Sequence, residues 1–137
     1  MESERVPPAE RPPPERPRVL VCGGRDYDDT ERIFEVLDRI NPLTICHGGQ
    51  ATWVPERRGY IGADYLAGLW ARERGIYCQV FEADWRAFGP RAGPMRNKVM
   101  LDAFEPDLVI AFPGGRGTES MMTLARRRRV PIMQIAR

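Results

Sequence analysis

From Arg18 onward, short apolar runs alternate with longer segments whose apolar positions recur every three or four residues. Arg18 to Cys22 is an apolar, β-branched run that ends in Gly23-Gly24. It is followed by a helical pattern in which Ile33, Leu37 and Ile40 share a face with Phe34. Leu43 to His47 repeats the unit as a second strand closed by Gly48-Gly49, and Ala63 to Arg74 carries Leu66, Leu69 and Trp70 on a helical stripe ended by Gly75. Tyr77 to Phe81 predicts a third strand. Met95 to Phe104 predicts a third helix, with Met95, Val99 and Ala103 four residues apart and Pro106 as its stop. Leu108 to Phe112, Thr118 to Arg127 and Pro131 to Ile135 complete the series as strand, helix and strand.

Strands separated by helices of this length are joined by crossovers, and right-handed crossovers within one sheet make the strands parallel, with helices on both faces. The expected fold is therefore an α/β, Rossmann-like three-layer sandwich around a mainly parallel sheet of about five strands. Ligands of such sheets bind beyond the carboxyl ends of the strands, where strand order reverses. Three glycine pairs fall on that rim: Gly23-Gly24, Gly48-Gly49 and Gly114-Gly115.

Composition adds one boundary. The first seventeen residues mix six prolines with charged residues and offer almost nothing to bury, so residues 1–17 read as a disordered tail and residues 18–137 as one domain. No run approaches the length needed to cross a bilayer, which leads to the expectation of a cytoplasmic protein that does not engage membranes. Cys22, Cys46 and Cys78 lie on separate strands, with no Cys-x-x-Cys pair, and read as reduced core residues. No metal site or cofactor is expected. The formal charge of +2 does not itself indicate a nucleic-acid protein. Arg126 to Arg129 is read either as a solvated helix end that complements the macrodipole or as a phosphate-contacting patch.

The richest chemistry lies in Phe112-Pro113-Gly114-Gly115-Arg116-Gly117-Thr118, a strand followed by a glycine turn and a helix start. Glycine lets the backbone approach a ligand, and the free N–H groups of the helix start point at any phosphate placed there. Around the same rim, Arg25 can clamp phosphate while Asp26 bonds a ribose hydroxyl or orients Arg25; alternatively Asp26 and Asp28 cap the first helix. His47, the only histidine, ends the second strand and reads as a packing or turn-stabilising group as readily as a general base. Asp64, in a helix's first turn, complements the dipole even without a ligand. Arg96 and Asn97 follow Gly93-Pro94 at a helix start, where an arginine opposes the dipole unless an anion or carboxylate meets it. Gln50 to Tyr60 carries Trp53, Arg57, Arg58 and Tyr60, as a lid that stacks a base and holds a phosphate or as a surface excursion.

The order Val21-Cys22-Gly23-Gly24-Arg25-Asp26-Tyr27, His47-Gly48-Gly49, Gly62-Ala63-Asp64, Ala92-Gly93-Pro94-Met95-Arg96-Asn97 and Pro113 to Thr118 resembles the YspA-like, cpYpsA-related branch of the SLOG superfamily across nearly all of Arg18 to Arg137. The resemblance implies a Rossmann-like domain that binds a nucleotide or nucleotide-derived ligand, with relatives that include LOG phosphoribohydrolases and DprA-type DNA-processing proteins. It gives Asp64 a place in a family motif, and it makes a homo-oligomer plausible. The Gln50–Tyr60 segment is longer than the branch pattern usually has.

LOG enzymes carry Pro-Gly-Gly-x-Gly-Thr-x-x-Glu after an Arg-Lys pair. Pro113 to Thr118 matches the first six positions, and Arg96 matches the arginine, with Asn97 in place of lysine. The glutamate position is Met121, which cannot move a proton, and Glu119 lies about 200° away around the helix. The leading expectation is a ligand-binding or sensor module that places phosphate on Gly114, Gly115, Gly117 and Thr118. The alternatives are a nucleotide hydrolase using Asp26, Asp64, Asp84 or Glu119, and a DNA-associated protein whose arginines contact phosphates.

Overall fold

The computed structural model describes residue 12 and residues 14–137. Most of the proposed tail, residues 1–11 and 13, lies outside the described residues. Its last residues touch the domain: Arg16 donates to the Pro42 carbonyl (3.0 Å), and the Pro17 carbonyl accepts from Leu43 N–H (2.9 Å).

The chain runs β1 (Arg18–Cys22), α1 (Thr30–Ile40), β2 (Thr44–His47), β3 (Thr52–Val54), β4 (Gly59–Ile61), α2 (Ala63–Arg74), β5 (Cys78–Val80), α3 (Trp85–Phe88), α4 (Ala92–Phe104), β6 (Leu108–Ala111), α5 (Arg116–Arg127) and β7 (Ile132–Gln134). Five strands form one sheet in the order β5-β2-β1-β6-β7, with every pairing parallel. The α/β, Rossmann-like expectation thus holds, and the order reverses between β1 and β6.

Both faces of the sheet are covered, because β1, β2 and β6 alternate their apolar side chains between two cores. Val19, Val21, Ile45 and Ile110 pack with Ile33, Leu37, Leu66, Trp70 and Ala71 of α1 and α2. Leu20, Cys22, Cys46 and Val109 pack with Met100, Phe104, Met121, Met122 and Ala125 of α4 and α5. Burial pushes the thiols of Cys22 and Cys46 far up, and that of the half-buried Cys78 up to about 11, which favours the protonated thiol at all three.

The helices end where a left-handed residue closes the last turn: Asn41 after α1, Gly75 after α2 and Glu105 just before Pro106. Three details differ from the sequence expectation. α4 begins at Ala92 and buries Asn97, Met100, Leu101 and Phe104, whereas the Met95, Val99, Ala103 stripe faces solvent. Gly93 and Pro94 stand in its first turn, where proline gives up no intrahelical bond. The Gln50–Tyr60 segment is not a loop but an antiparallel hairpin, β3–β4, turned by a 3₁₀ segment at Pro55–Arg57.

Candidate functional site

The carboxyl ends of β1 and β6 meet at the reversal of strand order, and glycines bring their turns together. Gly24 N–H donates to the Pro113 carbonyl at 2.9 Å. A Cβ on Gly114 would collide with Thr118 Oγ1 and lie 2.7 Å from the Gly24 nitrogen; one on Gly23 would lie 2.6 Å from the Ala63 Cβ. Gly23, Gly24 and Gly114 are therefore needed for backbone contact at the floor of the crevice. The same turn closes the start of α2, because Gly62 N–H donates to Tyr27 (2.8 Å) and Ala63 N–H to the Gly24 carbonyl (3.0 Å).

The turn after β2 is held by three buried or half-buried ionisable side chains. His47 Nδ1 accepts from Gly49 N–H at 2.9 Å, which leaves its proton on Nε2, against the α2 backbone at Gly68. Asp64 Oδ2 accepts from Gln50 N–H at 3.1 Å, and Arg96 donates to the carbonyls of Gly48 and Phe81. Burial, reinforced by the Arg96 charge, lowers His47 to about 4. Burial raises Asp64 to about 6 against the opposing pull of the Gln50 hydrogen bond, Arg96 and the Gly48 hydrogen bond. Arg96 Nε also donates to Asn97 Oδ1 (3.0 Å), and Asn97 Nδ2 donates to the Gly117 carbonyl (3.2 Å). This hydrogen-bond chain ties the turn after β2 to the first turn of α5.

The start of α5 is different. Gly114 to Gly117 are exposed, no side chain caps Gly115, and nothing lies within 4 Å of a Cβ placed on Gly115 or Gly117. The first intrahelical bond runs from Glu119 N–H to the Gly115 carbonyl, so the N–H groups of Arg116, Gly117 and Thr118 have no intrahelical acceptor. Thr118 is buried and rests its hydroxyl on Gly114. Elsewhere helix starts are filled from within: Asp29 caps α1 (3.0 Å to Arg32 N–H), the β1–α1 loop carbonyls meet α2, Asp84 caps α3 (3.1 Å to Ala87 N–H), and α4 continues a 3₁₀ turn.

The remaining candidates separate. The first helix is capped by Asp29, not by Asp26 or Asp28; Asp28 instead pairs with Arg57 on the hairpin at 3.0 Å. Arg25 and Asp26 are exposed on the rim, next to the β1 turn. Glu119 is exposed on α5, while Met121 is fully buried beneath the sheet. Gly93 faces inward, under the Trp85 ring. In the arginine run, Arg128 reaches Asp102 at 2.9 Å, and Arg126 and Arg127 are exposed in the last turn of α5. Among the described residues no group of three or more His, Cys, Asp or Glu is placed to hold a metal ion, and no helix is long and apolar enough to cross a membrane.

A cavity of about 360 Å³ lies at the opposite end of the sheet, lined by Arg16, Asp38, Asn41, Trp70, Arg74 and Ile76. Its polar groups are mutually satisfied: Asp38 accepts from Arg74 at 2.8 and 2.9 Å and from Trp70 Nε1 at 2.8 Å, which holds its carboxyl at about 2. The crevice at the carboxyl rim is therefore the better site, since it leaves donors open.

Sequence reasoning overlooked the hairpin and the tie made by Asn97. A residue count flagged the first as a long insertion; no sequence signal marked the second, which depends on α4 lying beside α5.

The model of the YspA, cpYpsA-related SLOG family matches residues 17–88. The gene 61 protein of Mycobacterium phage D29 is 32% identical over 128 residues, covering 85% of this chain and 94% of that protein. In fold, the chain is similar to E. coli tRNA N6-threonylcarbamoyladenosine dehydratase in a complex with AMP, at 13% identity and a TM-score of 0.54 over 88% of this chain and 50% of the enzyme. Another structure of that enzyme gives 12% identity and a TM-score of 0.51 over 88% and 51%. The chain thus spans about half of the dehydratase's length, and at this identity the likeness is one of fold.

Proposed function

The chain belongs to the YspA, cpYpsA-related SLOG family, and from that premise we propose that it binds a nucleotide or nucleotide-derived phosphorylated ligand at the carboxyl end of its sheet, as a ligand-binding or sensor module. The observation that carries this reading is the start of α5: three N–H groups without intrahelical acceptors at the reversal of strand order, beneath an exposed turn with open space at Gly115 and Gly117. The exposed guanidiniums of Arg25 and Arg116 border the same rim and supply cations for a phosphate. A Rossmann-like relative in fold that holds AMP adds support for a nucleotide as the class of ligand. The module needs no catalytic acid, in keeping with a core methionine at position 121.

The test is a thermal-shift screen with nucleoside mono-, di- and triphosphates, ADP-ribose and cyclic nucleotides, followed by chromatography of each mixture. A ligand at a hundred times its dissociation constant stabilises the fold by about 2.7 kcal/mol, read as several degrees in Tm. The ligand is expected back intact; a released base would identify a hydrolase instead. Gly115→Asp sharpens the result, because its carboxylate would cap the bare N–H groups and repel an anion. That variant is expected to melt slightly higher and to lose the ligand shift. Retention of the full shift in Gly115→Asp would remove the α5 start as the phosphate site.

A further inference from the structure

The β3–β4 hairpin is the part of the rim that the ligand reading has not used. Its pairing places Trp53 opposite Tyr60, and the two rings meet edge to face with centroids 5.1 Å apart. Tyr60 in turn lies 5.5 Å from Tyr65 on α2, so three rings run in a row from the body of the domain into solvent. Trp53 and Tyr60 nevertheless remain 51% and 48% exposed, while Thr52, Val54 and Ile61 turn their side toward the domain. Two large aromatic side chains paired on the outer face of a two-stranded ribbon bury little for the fold, since such a hairpin needs its inner face and its neighbours to persist.

The hairpin is fastened to the wall of the crevice. Arg57 at its turn pairs with Asp28, Gly62 at its end donates to the Tyr27 carbonyl, and the Gly62 backbone packs on that of Arg25, where a Cβ would lie 2.9 Å from the Arg25 oxygen. All three contacts are to the loop that follows β1, the loop whose Gly24 touches Pro113 beside the open start of α5. Arg58, exposed at the hairpin's turn, adds a cation to the same ribbon.

We infer that the Trp53–Tyr60 face is a stacking surface for the base of a nucleotide whose phosphate occupies the start of α5. Aromatic faces accept any base through its π-surface, and a rigid cross-strand pair presents one with little ordering cost. The hairpin would thus restrict the site to ligands that carry a base, as opposed to sugar phosphates. This inference rests on the phosphate reading above, and the experiment separates the two.

Calorimetric titration of the full chain would compare adenosine, guanosine, cytidine and uridine 5′-monophosphates with ribose 5-phosphate, for the native protein, Trp53→Ala, Tyr60→Ala and Trp53→Phe. In the native protein at least one monophosphate is expected to bind about tenfold or more tightly than ribose 5-phosphate, with quenching of tryptophan fluorescence. Trp53→Ala and Tyr60→Ala should bring that monophosphate down to the affinity of ribose 5-phosphate without changing the latter, and Trp53→Phe should restore most of the difference. Monophosphates that bind no better than ribose 5-phosphate, or alanine variants that keep the difference, overturn the stacking surface while the phosphate site stands. Absence of binding by all five probes overturns the phosphate reading and the stacking surface with it.

Discussion

The turn after β2 and the turn after β6 look alike in sequence, each a strand that runs into a glycine pair, and they do opposite things. Around Gly48-Gly49 side chains hold the backbone: His47 accepts from Gly49 N–H, Asp64 from Gln50 N–H, and Arg96 donates to the Gly48 carbonyl, while the nearby start of α2 is closed by carbonyls of the β1 loop. At Gly114-Gly115 only the first glycine is engaged, against Gly23 and Gly24, and the helix that follows begins bare. A glycine pair on a Rossmann-like rim thus sits in two settings, close packing of turns and an open helix start, and the surroundings of each Cα distinguish them; the proposed ligand site uses the second.

The sharpest way to separate packing from openness is to add a methyl group to a packed and to an open glycine of the turn after β6. Gly114→Ala would force a Cβ against the Gly24 nitrogen and the Gly23 carbonyl carbon, at 2.7 and 2.9 Å, and should cost about 1–3 kcal/mol as overpacking. Gly117→Ala meets open space inside the first turn of α5 and should gain about 0.5–1 kcal/mol from helix propensity. Denaturant melts of the two variants should therefore move in opposite directions; equal losses would mean that both glycines are packing residues.

The closed turn can be probed with protons. Asp64 is raised to about 6 in the fold, so its contribution to stability is fully present below the unfolded carboxylate pKa, near 4, and is lost as pH rises through 6. His47 is lowered to about 4, so its contribution is present above the unfolded imidazole pKa, near 6.5, and is lost as pH falls through 4. The two slopes oppose each other over about pH 4–6. In the native protein they should largely cancel. Asp64→Asn should leave stability falling on acidification by about 2 kcal/mol across this window, and His47→Gln should leave it rising by a similar amount. Melting each variant at pH 4, 5, 6 and 7 checks the sign, and parallel profiles for all three proteins would show that neither group titrates with folding.

A smaller effect is expected where the two turns are joined. Asn97→Ala removes the amide that accepts from Arg96 and donates to Gly117, and should cost about 1–2 kcal/mol by leaving those partners without it. It should also weaken any phosphate-bearing ligand found in the screen, because the first turn of α5 loses its anchor. A loss of stability with unchanged affinity would show that the ligand site does not depend on the turn after β2.

The alternation of strands and helices, the parallel sheet and the rim of glycines were legible in the chain, because backbone periodicity and turn chemistry are local properties. So was the helix start at Gly115 to Thr118. Other features followed from what the fold brings together. The Met95, Val99, Ala103 spacing suits a helical face, yet α4 turns Asn97, Met100 and Phe104 inward, since the neighbouring α5 and the sheet select the buried side. Asp29 caps α1 although Asp26 and Asp28 were the candidates, because the cap depends on where the helix begins to the residue. The Gln50–Tyr60 segment was visible as a long insertion with aromatic and basic residues, and its pairing into a ribbon that sets Trp53 against Tyr60 came with the structure. What the chain determined alone was the architecture and the placing of its glycine turns along one rim of the sheet. Which glycines pack, which carboxylate is sealed and which N–H groups stay open were decided by contacts between segments far apart in sequence, and no local pattern encodes those contacts.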